Sequence, residues 1–118
     1  MELLLDMNPK DYNEGIKEFC IYPDVDTGTD LELSYLSLGL ASEAGEVAGL
    51  MKKTLRDESS GSFLDTEKWL AEIGDCVWYI TRLLDVMGYT MEDAMQYNYK
   101  KLKDRKERNV LSGSGDNR

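Results

Sequence analysis

From Trp69 to Met87 the apolar side chains recur at steps of three and four: Trp69, Ile73, Cys76 with Val77, Ile80, Leu83 with Leu84, and Met87. At 3.6 residues per turn these positions fall on one stripe, so the segment reads as an amphipathic helix that must find another helix to cover it. The surrounding residues punctuate it. Thr66 is placed to cap its start, and Gly88 to end it in a left-handed conformation. Thr90 with Asp93 has the spacing of a capping box for a further helix reaching about Arg105. Upstream, Asn8 followed by Pro9 opens a first helix that runs to about Phe19. A long helix from near Asp30 to about Leu55 carries Leu36, Leu40, Val47 and Leu50 on one face. In that helix Gly39, Gly45 and Gly49, with Ala41, Ala44 and Ala48, form a smooth side suited to close helix approach. Residues 22–29 and 57–63 read as loops, and no strand alternation occurs. The expected fold is all-α, an antiparallel four-helix bundle in one domain over residues 1–118, with 111–118 a flexible tail.

Composition narrows the chemistry. The 118 residues are 42% hydrophobic and 31% charged, as in a globular domain, and the formal net charge is −9. Such an acidic chain repels a phosphate backbone, so no nucleic acid polymer is expected as a partner. Histidine is absent, which excludes Ser-His-Asp and Cys-His nucleophile systems, HExxH zinc sites and di-iron ExxH bundles. Cys20 and Cys76 are far apart, and Cys76 lies in the apolar stripe, so it reads as a buried free thiol. The run Leu3–Leu5 is too short for a signal peptide or membrane span, so no membrane role and a cytoplasmic location are expected.

The acids sit in an unusual place. Glu43 and Glu46 are three apart, and Leu36, Leu40 and Glu43 share one row, so the pair prolongs the apolar stripe instead of opposing it. Glu72 and Asp75 repeat the arrangement in the row Trp69, Glu72, Asp75, Tyr79. Packing the two helices would gather four carboxylates, whose desolvation and repulsion cost several kcal/mol unless cations intervene. An all-oxygen ligand set with no histidine selects Mg²⁺, with Mn²⁺ as a substitute. Cations share these faces: Lys53 lies two turns beyond Glu46, and Arg82 stands in the same relation to Asp75, with Tyr79 between. Asn98, Lys101 and Arg105 form a third row. Metals at a scissile phosphate with fixed cations on the others are what a polyphosphate site needs.

The stretches GLASEAGEVAGLMKK (39–53), LAEIGDCVWYI (70–80) and NYKKLKDR (98–105) resemble the MazG-like nucleoside triphosphate pyrophosphohydrolases of the all-α NTP pyrophosphatase superfamily. That family's ExxE and ExxD pattern is filled here by Glu43, Glu46, Glu72 and Asp75. The resemblance covers the chain from about Tyr35 onward; the N-terminal third matches loosely, which leaves base specificity open. It implies Mg²⁺-dependent hydrolysis of a (d)NTP to the monophosphate and pyrophosphate, with water attacking the α-phosphate and the four acids as catalytic metal ligands. It further implies a homodimer or homotetramer, and phosphate contacts from Lys53, Tyr79, Asn98, Lys101 and Arg105. Trp78 offers a base-stacking surface, and Asp116, Asn117 and Arg118 beyond a Gly-Ser-Gly segment would suit a substrate flap. Two rivals stand beside this reading: a dUTP- or dCTP-restricted nucleotidase of the same fold, and a non-catalytic helical interaction module. The motif GxxxxGK[ST] is absent, so a P-loop enzyme is excluded.

Overall fold

The computed structural model describes residues 6–57 and 65–118. Four α-helices follow in order: α1 (Pro9–Ile16), prolonged by a 3₁₀ turn at Lys17–Phe19, α2 (Asp30–Arg56), α3 (Thr66–Val86) and α4 (Met91–Glu107), with no strand among the described residues. Asn8 caps α1, its side-chain oxygen accepting the Asp11 amide at 2.8 Å. Thr29 caps α2. The cap of α3 is Asp65, one residue before the expected Thr66, because its carboxylate accepts the Lys68 amide. Gly88, at φ +84°, ends α3 as expected: its amide reaches the Asp85 carbonyl at 3.0 Å and the Tyr89 amide the Leu84 carbonyl at 2.8 Å. Thr90 and Asp93 complete the capping box of α4. The expected break at 57–63 lies outside the described residues except for Asp57.

The two long helices form the principal packing unit. They run antiparallel: Glu32 of α2 meets Arg82 of α3, and Gly39 meets Tyr79. The Gly39 contact explains its glycine, since a Cβ there would collide with the Tyr79 ring. Gly45 and Gly49 face open space, so the smooth side of α2 is used for close approach only at its first glycine.

Helix α1 lies across α3, and α4 touches α3 only lightly. The bundle is therefore all-helical but open, with a Cα radius of gyration of 17.4 Å against about 13.5 Å expected for a compact chain of this length. The apolar stripe of α3 is accordingly half covered: Ile73 is 43% exposed and Met87 53%. Neither cysteine is fully buried, which corrects the expectation for Cys76; the stripe it belongs to has no fourth helix lying over it.

Candidate functional site

Antiparallel packing of α2 on α3 brings the acids together. One carboxylate oxygen each from Glu43, Glu72 and Asp75 lie within 4.8 Å of one another. Glu46 stands one turn further along α2, exposed, and close enough to act electrostatically on Glu43. The Glu43 carboxyl is pushed above the ordinary carboxylate range, first by burial and then by the charges of Asp75, Glu72 and Glu46. Among the described residues no lysine or arginine forms an ion pair with any of the four. A group of carboxylates in which Glu43 and Glu72 are partly buried, with no ion-paired counter-charge among the described residues, fits a hard divalent cation, for which oxygen ligands at this separation are suited.

Beside the acids opens a cleft of about 340 Å³ lined by Glu43 and Asp75 together with Phe19, Ile21, Tyr22, Tyr35, Trp78 and Tyr79. The aromatic rings are mutually braced. Tyr22 stacks on Tyr35 at 5.1 Å between centroids, and Trp78 sets an edge against both Tyr22 and Tyr79. Burial, then the neighbouring Tyr35, Glu43 and Asp75, raise the Tyr79 phenol above its ordinary value. Burial, and then the charge of Asp75, raises the Tyr12 phenol of α1 as well.

The cations are placed differently from the sequence expectation. Arg82, read as a cation on the face of Asp75, is fully buried, bound to Tyr22, Asp26 and Asp85 and 3.7 Å from the Glu32 carboxylate. The correction has a plain cause: loop 22–28 folds back over that end of α3, and helical spacing carries no information about a returning loop. Lys53 is exposed in the last turn of α2, about 15 Å along the axis from Glu43. Asn98 and Lys101 line a different cleft, whose only α3 member is Leu84, about 13 Å along that helix from Asp75. Arg105 is buried at 5% exposure and donates to the Gly115 and Asp116 carbonyls and to the Asp116 carboxylate. Lys101 also pairs with Asp116, at 3.2 Å. Arg118 donates to the carbonyls of Val110, Leu111 and Gly115 within the tail, and the Asp116 bonds to Lys101 and Arg105 hold the tail against α4.

Sequence reasoning missed Tyr22, Tyr35 and Glu32. Tyr35 was available as a signal, since it lies one turn before Gly39 on the helix that carries Glu43.

Over 109 residues the chain is 38% identical to the "Gene 37 protein" of Mycobacterium phage L5, covering 91% of this chain and 96% of that protein. No solved structure matches it significantly. Residues 32–110, from the buried Glu32 to just beyond α4, match the profile of the MazG nucleotide pyrophosphohydrolase domain. The chain belongs to the MazG nucleotide pyrophosphohydrolase family.

Proposed function

We propose that this protein hydrolyses (deoxy)nucleoside triphosphates to the nucleoside monophosphate and pyrophosphate in the presence of Mg²⁺, with Mn²⁺ as an alternative. The observation that carries the reading is the sharing of one cleft by acids and rings: Glu43 and Asp75 line the same cavity as Tyr22, Tyr35, Trp78 and Tyr79. In a nucleotide only the α-phosphorus lies within a sugar's length of the base. A metal-holding wall adjoining an aromatic wall therefore suits cleavage at that phosphorus, with Trp78 among the base-side surfaces. Glu43, Glu72 and Asp75 would hold the cation, and Glu46 would complete the set from the next turn of α2. When bound, the ion supplies neutralisation of the phosphate charge and acidification of a coordinated water. A water oxygen bonds to the α-phosphorus, the bond to the αβ-bridging oxygen breaks, and one proton is released to solvent. Braced aromatic rings hold the nucleoside end and exclude water from its faces.

Lys101 and Arg105 would serve the outer phosphates only with α4 brought toward the acids and their pairing with Asp116 released. Assembly into a homodimer or homotetramer would supply the cover that α3 and α4 lack, with Leu70, Ile73, Tyr97 and Leu102 all at least 43% exposed. No helix of the described residues is long and apolar enough to cross a membrane, which supports a cytoplasmic enzyme acting on free nucleotides. The test is direct. With Mg²⁺ and a panel of dNTPs, pyrophosphate and monophosphate should appear in equal amounts. Release from dUTP or dCTP alone would favour the restricted nucleotidase, and no release from any nucleotide would favour the interaction module.

A further inference from the structure

The aromatic wall of the cleft is not uniform. Tyr22 is 7% exposed and Tyr35 39% exposed, although the two rings stack with an interplanar angle of 13°. Tyr22 is thus the backing ring and Tyr35 the one with surface to offer. The backing is fixed from behind. The Tyr22 hydroxyl donates to the Glu32 carboxylate at 2.7 Å and accepts from the Arg82 guanidinium at 2.8 Å. Glu32 and Arg82 are both fully buried. The same Glu32 carboxylate accepts the backbone amides of Asp26 and Gly28, at 2.6 and 2.9 Å, and Arg82 also donates to Asp26. These bonds hold a loop in which Asp24 and Asp26 both adopt positive φ, +62° and +59°, a conformation that non-glycine residues sustain only when their surroundings impose it. The network joins the loop, the first turn of α2 and the last turns of α3 at a single phenol.

We propose that Tyr35 is the ring on which the substrate's nucleobase stacks, and that Tyr22, clamped between Glu32 and Arg82, is the positioning residue that holds Tyr35 in place. This rests on the nucleotide reading above and adds to it the side chain that takes the base and the device that sets its angle. A stack on a pre-fixed ring is tolerant of base identity, since every base offers a π-face. Because the ring is already ordered, little freedom is lost when the base arrives.

The test compares a nucleotide with a ligand that has no base. KM and kcat for a dNTP, and the inhibition constant of inorganic tripolyphosphate, are measured for wild type, Tyr35→Leu, Tyr35→Phe and Tyr22→Phe. For Tyr35→Leu the nucleotide KM should rise roughly tenfold or more, the scale of a lost base–aromatic stack. Its kcat and its tripolyphosphate constant should stay within about twofold, and Tyr35→Phe should behave as wild type. Tyr22→Phe keeps the backing ring but loses the clamping hydrogen bonds to Glu32 and Arg82, and should raise the nucleotide KM severalfold with tripolyphosphate again unchanged. Equal weakening of both ligands would show that these rings merely support the fold, and an unchanged nucleotide KM in Tyr35→Leu would remove the ring from the base site. If wild type releases no pyrophosphate at all, the nucleotide reading itself falls, an outcome distinct from an active enzyme indifferent to Tyr35.

Discussion

A carboxylate behaves here according to what surrounds it, and two glutamates on α2 show the contrast. Glu43 is raised by burial and then by the neighbouring acids; Glu32 would be raised by burial too, but the Tyr22 hydroxyl and the Gly28 and Asp26 amides, with Arg82, more than offset it, and its value lies below the ordinary 4.5. Glu43→Gln and Asp75→Asn should therefore cut pyrophosphate release by at least about a hundredfold, the scale of groups that stabilise transition-state charge. Neither change should lower the Tm of the metal-free protein, because each removes repulsion, while the rise in Tm on adding Mg²⁺ should vanish in both. For Glu32 the sign is opposite. With a depressed folded-state value, its contribution to stability is complete above the ordinary carboxylate range and is lost as pH falls through the lowered value. Melting curves of wild type and Glu32→Gln should stand apart at pH 7 and converge in acid; a separation that stays constant to pH 3 would show that Glu32 is not held ionised.

Among the helices, the α2–α3 pair was the legible part of the sequence. Its extent follows from Gly88 and the apolar stripes, and its acids from their unusual place at the edge of those stripes. Arg82 was misread because two of its partners, Tyr22 and Asp26, come from a returning loop, and Glu32 resembled an ordinary first-turn acid favoured by the helix dipole. The light contact of α4 was equally hidden, since a helix with good caps and good spacing forms whether or not a neighbour covers it. The glycines of α2 test the pair's geometry by opposite signs. Gly39→Ala should destabilise by about 1–3 kcal/mol through its collision with Tyr79. Gly45→Ala, with open space around it, should stabilise by about 1 kcal/mol through helix propensity. Chemical denaturation of the two variants would settle the matter, and equal effects would place the α2–α3 contact elsewhere.

On the scale of the whole molecule the chain is more open than its length requires, and large apolar side chains on α3 and α4, among others, stand exposed. Sedimentation equilibrium should accordingly find a dimer or tetramer at micromolar concentration, and Ile73→Glu should shift it toward monomer; a wild-type monomer would show that the exposed stripe is tolerated in water. Against that open frame, the loop over α3 is its most firmly tied segment. The amides of Asp26 and Gly28 lie in an irregular connection at the surface, where protons usually trade with solvent freely, yet both are donated to a carboxylate that no water reaches. Opening them requires breaking the Glu32 cluster, and with it the backing of the aromatic cleft. In hydrogen–deuterium exchange these two loop amides should be protected to the degree of a helix interior, and Tyr22→Phe should make them exchange faster. The exchange rates of these two surface amides would then report on the rigidity of a cleft that neither residue itself lines.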